Sequence, residues 1–240
     1  MRLDSFLSAK SDVKSRTYAS RLIKDGLVLL NGKICLTPSK EVDENAEIEI
    51  LKADSFASFG GEKLQKAIDC FKIDVQGLSC IDIGCSNGGF TDCLLRHGAK
   101  KVVAVDVGEC ALPKNILDDE RVEFLKFNAR NLNEQVVDRC DFVCLDCSFI
   151  SLNLLLDAVY SVLKFDGRAV LLVKPQFEVG KKSLSKKGIV TDKKAERNAI
   201  DEIKRHAQSI GFEIIGFTEA PKKEADKNQE YLLYLKKQSE

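Results

Sequence analysis

Ser79-Cys80-Ile81-Asp82-Ile83-Gly84-Cys85-Ser86-Asn87-Gly88-Gly89-Phe90-Thr91-Asp92 reads as a buried strand, a glycine-rich turn and the first turn of a helix. An apolar run ends in an acid, and small residues then let the backbone close on a ligand. From Asp82 it is 24 residues to Asp106, the end of a second apolar run, Lys101-Val102-Val103-Ala104-Val105-Asp106. An acid at that place can hold the two hydroxyls of a ribose. Together the two runs point to an adenosine-containing cofactor. The plainer alternative is a tight strand-to-helix turn of the kind any α/β protein uses.

The glycine spacing separates two cofactor classes. Dinucleotide sites use G-x-G-x-x-G, whose amides receive a pyrophosphate at a helix start. Here the spacing is Gly84, Gly88, Gly89 behind Asp82, which suits a cofactor without phosphates, such as S-adenosylmethionine, better than NAD.

From Ser79 onward strands and helices alternate, the pattern of a parallel sheet in an α/β fold. Strands are expected near 79–83, 101–106, 122–126, 140–146 and 168–174, and helices near 90–97, 150–163 and 193–210. Two final strands, near 212–217 and 230–236, have no crossover helix between them and should be antiparallel. Ligands of open parallel sheets bind at the carboxyl ends of the strands. Those tips carry Asp82 and Gly84, then Asp106, then Asn128-Ala129, then Asp146-Cys147-Ser148-Phe149, then Lys174-Pro175-Gln176-Phe177-Glu178. Asp146 and Lys174 end strands expected to be neighbours, and Glu230 opens the last strand near the same rim. A plain ion pair is the alternative for the lysine and the aspartate.

At 240 residues the chain has room for one full α/β domain and a small module, and its 44% hydrophobic content is ordinary. Its formal net charge is zero, so any nucleic-acid signal must be local. Nine cysteines sit largely in apolar segments, as small buried residues of a reducing compartment do. Cys144 and Cys147 form a C-x-x-C without a second pair or a nearby histidine, so no metal site is expected. The start lacks a signal-peptide core, and no apolar run approaches a membrane span. A cytoplasmic protein with no membrane contact is the expectation.

Residues 1–52 read as a separate unit, joined by a small-residue linker over 53–61 to a larger one over 62–240. Leu3, Phe6 and Leu7 share one helical face. Ser15 offers a cap for a second helix that turns Ala19, Leu22 and Ile23 inward and stops at Gly26. Residues 27–30, Asn31-Gly32 and residues 33–36 make a hairpin, and residues 46–50 alternate as a further strand. Through Lys40 there are eight Lys or Arg against three acids, and five acids follow between Glu41 and Glu49. Arg2, Lys10, Lys14, Arg16, Arg21, Lys24 and Lys33 could present one basic face to phosphates, or simply solvate a helical surface. The pattern Arg2-Leu3-Asp4, Ser15-Arg16, Leu22-Ile23, residues 26–32 and Pro38-Ser39 resembles the S4 RNA-binding domain. That resemblance implies structured RNA as partner.

Over nearly the whole chain the sequence resembles the TlyA family of S4-containing ribose methyltransferases, whose catalytic domain belongs to the FtsJ (RrmJ) group. The resemblance is carried by Gly60-Gly61-Glu62-Lys63-Leu64, by residues 82–94, by Ala104-Val105-Asp106-Val107-Gly108, by Asp146-Cys147-Ser148-Phe149-Ile150-Ser151-Leu152, by residues 173–178 and by Asn228-Gln229-Glu230-Tyr231-Leu232-Leu233. It implies a Rossmann-like S-adenosylmethionine-dependent methyltransferase sheet behind a small N-terminal S4-like α+β domain. It also implies a Lys-Asp-Lys-Glu tetrad on Lys63, Asp146, Lys174 and Glu230. Cofactor contacts are expected from Asp82, Gly84, Cys85, Ser86, Asn87, Gly88, Gly89, Phe90, Asp106, Val107, Asn128, Ala129 and Asp146. Phe59 stands where the family usually has arginine.

A ribose 2′-hydroxyl is a weak acid, and methyl transfer from a sulfonium is an in-line displacement that needs no metal. The protein must align the reacting atoms and meet negative charge growing on oxygen. Lys174 is the candidate for that charge, with Asp146 orienting it and Lys63 and Glu230 holding the ribose. Lys181, Lys182, Lys186 and Lys187, in a polar and mobile-looking segment beside the cleft, are expected to meet phosphates or to form a lid ordered by RNA, with a plain solvated loop as the alternative. The implied substrate is ribosomal RNA or a ribosomal subunit, at a large-subunit (23S) cytidine and in some members also a 16S cytidine. Competing readings are a non-catalytic RNA-binding assembly factor, a small-molecule methyltransferase and the haemolysin label attached to this family.

Overall fold

The computed structural model describes residues 1–9, 13, 15–24, 27–43, 46–50 and 56–238, and of Arg21 only the backbone. The expected basic-face residues Lys10 and Lys14, the side chain of Arg21 and the helix stop Gly26 therefore lie outside the description. The chain forms two compact units, Met1–Asp54 and Ser55–Glu240.

In the first unit α1 (Leu3–Ala9) and α2 (Arg16–Lys24) pack with a three-stranded antiparallel sheet of β1 (Val28–Leu30), β2 (Lys33–Ile34) and β3 (Ile48–Ile50), in the order β2-β1-β3. Ser15 Oγ accepts the Tyr18 amide at 3.1 Å, satisfying one of the free donors at the start of α2. Asn31 and Gly32 both take positive φ, 50° and 72°, the conformation a two-residue hairpin loop needs to match strand twist. Leu3, Leu7, Ala19, Leu22, Ile23, Val28 and Leu30 close one small core.

The second unit runs α3 (Phe59–Phe71), β4 (Ser79–Ile83), α4 (Gly89–Arg96), β5 (Lys101–Asp106), α5 (Lys114–Leu117), β6 (Val122–Lys126), β7 (Cys140–Leu145), α6 (Leu156–Val162), β8 (Leu163–Val173), α7 (Pro175–Glu178), α8 (Lys193–Ser209), β9 (Phe212–Glu219) and β10 (Tyr231–Lys237). Seven strands lie in the order β6-β5-β4-β7-β8-β10-β9. The pairs among β4, β5, β6, β7 and β8 are parallel, and β10 is antiparallel to both β8 and β9, as the missing crossover required. Apolar residues fill both faces. Leu64, Ile68, Phe90 and Leu94 cover one against Cys80, Val102, Phe142 and Val170. Leu156, Val159, Ile200 and Ile203 cover the other against Ile81, Val143, Leu171 and Leu233. A sheet buried on both faces needs such near-continuous apolar strands, each fully buried Leu or Ile contributing about 1.5–3 kcal/mol.

Two boundaries differ from expectation. The helix expected over 150–163 starts only at Leu156, after a 3-10 turn over Leu152–Leu154, because Glu178 holds the Ser151 hydroxyl (2.6 Å) and the Leu152 amide (2.8 Å) in another course. Strand β8 begins five residues early, at Leu163, and passes an irregularity at Asp166, whose φ is 61°.

The chain leaves β4 toward β5 and β6 on one side, and β7 and β8 build the other. Such a reversal opens a crevice beyond the strand ends. Register makes the tips level: Ile83 pairs with Val105 and Leu145, Leu145 with Leu171, and Tyr231 with Val173. The residues that follow these pairs are Gly84, Asp106, Asp146 and Lys174, and Glu230 precedes Tyr231.

Candidate active site

The turn after β4 is set by close approach. Gly84 has a φ of 83°, and a Cβ there would sit 2.8 Å from the Asp146 carbonyl oxygen. Any side chain would part β4 from β7 at the tip that carries Asp146. At Gly89 a Cβ would meet Ser58 Oγ at 2.1 Å and the Gly61 nitrogen at 2.8 Å, so the starts of α3 and α4 touch through backbone. The turn's amides are largely spent inside the protein. Gly84 and Cys85 donate to Val105 O at 2.8 and 3.1 Å, Gly88 to Cys85 O at 2.7 Å, and Ser86 to Asp106 Oδ2 at 3.0 Å. An amide nest for a pyrophosphate is therefore not on offer, which fits a cofactor lacking phosphates.

A cleft lies over this turn, lined by Ser58, Gly60, Gly84, Cys85, Ser86, Gly89, Phe90, Asp146, Ser148 and Lys174, with about 490 Å³ of space including its open mouth. That is within the range of small-molecule sites. Six expected cofactor residues line it: Gly84, Cys85, Ser86, Gly89, Phe90 and Asp146. Asp106 stands next to it, its Oδ1 accepting the Gly108 amide at 2.9 Å. Asn87 and Val107 are exposed, and Gly88 packs toward Leu112 and Ile116. Asn128 instead turns its Oδ1 to the Arg130 amide at 3.1 Å, and Ala129 packs on the apolar core.

Asp82 is a correction. It is wholly buried beneath the turn, away from the cleft lining, with Oδ2 accepting the Thr91 hydroxyl at 2.6 Å. No protein group donates to its Oδ1. Burial pushes its pKa up to about 7, with the nearby Asp146 charge adding to the rise.

The four expected catalytic side chains converge. Lys174 Nζ stands 2.5 Å from Asp146 Oδ1, as a charge contact rather than an aligned hydrogen bond, and donates to Ser148 Oγ at 2.8 Å. Lys63 Nζ donates to Glu230 Oε2 at 2.6 Å and lies 3.9 Å from Asp146 Oδ2. Asp146 thus sits between two lysines, each opposed by acid. The Lys174 side chain is only 9% exposed, so the cluster lies largely out of water, where charges act more strongly on one another. Gln176 Nε2 approaches Glu230 Oε1 at 3.5 Å.

The sequence placed Ser148 and Phe149 at the fourth strand tip but gave neither a role. Ser148 meets Lys174 in the cleft. Phe149 is 91% exposed at a φ of 64° and leans on Phe177 at 5.1 Å. A phenylalanine held in the left-handed region and in water is costly. Its position beside Asp146 was visible in the sequence; its backbone conformation was not.

The C-x-x-C pair packs against the sheet, Cys144 and Cys147 donating to Ile81 O and Ile83 O at 3.7 and 3.8 Å. Burial raises both thiols. Among the described residues no cluster of His, Cys, Asp or Glu comes together to hold a metal ion, and no helix is long and apolar enough to cross a membrane. In the first unit Arg2 and Arg16 both bind Asp4, so neither is a bare phosphate contact; Lys24 and Lys33 are exposed. Lys181, Lys182, Lys186 and Lys187 are exposed too, but not on a mobile-looking strip. Residues 183–191 fold back through a Leu184–Val190 bridge, because Gly188 takes a φ of 74° and Ser185 N reaches Ile189 O at 2.8 Å.

The FtsJ-like methyltransferase family model matches residues 56–237, and the S4 domain model residues 1–48. The chain is 37% identical over 242 residues to "Hemolysin A" of Brachyspira hyodysenteriae, covering 98% of this chain and 99% of that protein. It is 36% identical over 243 residues to the "16S/23S rRNA (cytidine-2'-O)-methyltransferase TlyA" of Mycobacterium tuberculosis, covering 100% of this chain and 91% of that one. Among solved structures, a Streptococcus thermophilus protein provisionally described as a hemolysin matches with a TM-score of 0.77 at 34% identity, over 100% of this chain and 89% of that one.

Proposed function

The chain belongs to the FtsJ-like methyltransferase family, with an S4 domain ahead of the catalytic domain, and from that premise we propose that it methylates the ribose 2′-hydroxyl of a cytidine in ribosomal RNA. The observation that carries this reading is the Lys174–Asp146–Lys63–Glu230 chain of contacts at one lip of the glycine cleft. In this reading the S4 unit holds structured rRNA, acting in the cytoplasm, and a 23S cytidine is the first target expected, with a 16S cytidine second.

S-adenosylmethionine, when bound, supplies the electrophilic methyl carbon. Gly84, Cys85, Ser86, Gly89 and Phe90 would hold it along the turn, and Asp106 has the place to take ribose hydroxyls. Lys174 stands at the substrate hydroxyl, receiving its proton if neutral or opposing the growing negative charge if protonated. Asp146 and Ser148 fix the Lys174 head. Glu230 keeps Lys63 in place, and that pair orients the ribose. Phe149 and Phe177 offer an aromatic face at the rim, suited to an unstacked base.

The test adds labelled S-adenosylmethionine to free rRNA and to unmodified ribosomal subunits and maps the methyl group. A 2′-O-methylcytidine in 23S rRNA is expected. Cofactor binding with no transfer to any rRNA would instead make the chain a non-catalytic RNA binder.

A further inference from the structure

The lysine-bearing segment is a built element. Residues 183–191 are closed by the Leu184–Val190 bridge, by Thr191 N to Ser183 O at 2.9 Å and by Gly188 N to Ser185 O at 2.9 Å. Among the described residues none of Lys181, Lys182, Lys186 and Lys187 is held in an ion pair. The far side of the hairpin is held by one side chain. Asn228 Oδ1 accepts the Val190 amide at 2.8 Å, and Asn228 Nδ2 donates to Gly188 O at 2.9 Å. Both ends of that amide are spent on a segment about forty residues away, so the contact is not incidental.

Asn228 stands two residues before Glu230. Between them Gln229 Nε2 donates to Ala220 O at 2.9 Å and Glu230 O at 2.8 Å, and the Ala220 amide donates to Glu230 O at 2.9 Å. Every residue of 228–230 is therefore fixed: the first to the hairpin, the second to the end of β9, the third to Lys63. So short a chain spans at most about 10 Å and has no slack to absorb a shift. At its other root the hairpin follows α7, which begins next to Lys174.

We propose that Asn228 is a positioning residue that latches the lysine hairpin to Glu230, so that hairpin contact with RNA phosphates sets the Glu230–Lys63 pair for transfer. This rests on the methyltransferase reading above. Phosphate contacts carry little sequence information but fix register. Through the latch they also fix a catalytic carboxylate, and only an RNA that seats the hairpin gains full rate.

Asn228→Ala is the first variant. Asn228→Asp, which keeps the acceptor for Val190 and loses the donor to Gly188, is the second should the first fold poorly. With rRNA substrate, kcat should fall about tenfold or more in Asn228→Ala, since displacements near 1 Å cost about that much or more. S-adenosylmethionine affinity should stay within about twofold, as the cofactor cleft is not touched. Asn228→Asp should fall between. In hydrogen exchange without RNA or cofactor, the Ala220 and Tyr231 amides should lose protection together with the hairpin. A raised KM at intact kcat would overturn the latch, reducing Asn228 to support of an RNA-binding loop. Unchanged protection at Ala220 and Tyr231 would overturn it as well. The exchange arm needs no turnover, so absence of methyl transfer would sink the proposed function while the latch is still decided.

Discussion

Each unit contains an aspartate between two cations, and the two clusters behave differently. In the first unit Asp4 takes Arg2 at 2.8 Å and Arg16 at 3.3 Å, with the arginine side chains 45% and 57% exposed. In the second, Asp146 takes Lys174 at 2.5 Å and Lys63 at 3.9 Å, with both lysines mostly buried. Arginine stays charged at any working pH and grips with a planar fork, whereas lysine can give up its proton when its surroundings favour that. The Asp4 cluster is thus a brace: the hydrogen bond from Arg2, helped by Arg16, holds its carboxyl well below the usual carboxylate range. The Asp146 cluster is built differently. Its cations are lysines, its acids are two, and one edge opens on a cleft. The first cluster sets two cations against one acid and the second two against two; cation type and access to water separate them further.

The largest effect should come from exchanging those cation types at Lys174. Lys174→Ala should cut transfer about 10²–10⁴-fold, the usual worth of a positioned proton-transfer group, with cofactor affinity retained. Lys174→Arg then discriminates between roles. A loss as deep as in alanine means the lysine must surrender its charge; activity within about tenfold of wild type means a fixed cation suffices. Retained turnover in Lys174→Ala would remove the residue from the mechanism and reduce the Asp146 cluster to a second brace.

A third set of cations sharpens the contrast, since among the described residues none of it is held in an ion pair. Lys181, Lys182, Lys186 and Lys187 should each contribute a phosphate contact. Replacing all four by glutamine should lower the slope of log affinity against log salt by up to about 3. Salt titration of rRNA binding reads this directly. An unchanged slope would class the hairpin with solvated surface lysines.

The sheet was legible in the sequence because its strands are buried on both faces, and continuous apolar runs such as Val102-Val103-Ala104-Val105 leave little choice of conformation. The position of the site followed from the strand ends, where Asp146 and Lys174 each close such a run. Less local features were not legible. Asp82 stands inside β4, one residue before its end, where the Thr91 hydroxyl holds it under the turn. Helix α6 starts late because Glu178, 26 residues away, holds the Leu152 amide. Residues 183–191 are also tied at Val190 and Gly188 to Asn228, some forty positions further on. Each feature involves a polar contact for which local periodicity carries no signal.

Asp82 extends the comparison to an acid that faces no cation. Its pKa is raised from 3.8 to about 7, so between those values the folded chain binds more protons than the unfolded one, and stability falls as pH rises through that window. Asp4 works in the opposite sense: its depressed folded pKa supplies stability above the ordinary carboxylate range, lost as the medium is acidified. For Asp82 a shift of this size corresponds to a few kcal/mol on the order of magnitude. Asp82→Asn keeps an acceptor for Thr91 and cannot titrate. The difference between wild-type and variant denaturation curves should therefore change across pH 4–7. Parallel curves would mean that Asp82 is stabilised by something other than its proton.

The smallest effect belongs to the brace itself. Arg16 reaches Asp4 only through Nε at 3.3 Å and is more than half exposed, and exposed ion pairs contribute at most about 1 kcal/mol. Arg16→Lys keeps the charge and should change rRNA affinity less than about fivefold, in contrast to the deep loss that a cation exchange at Lys174 produces if its proton moves. A drop beyond tenfold in filter binding would show that the guanidinium fork, rather than its charge, meets a phosphate. The first cluster would then be a recognition site in its own right, and the difference between the two aspartates would lie in what their cations grip rather than in whether those cations can lose a proton.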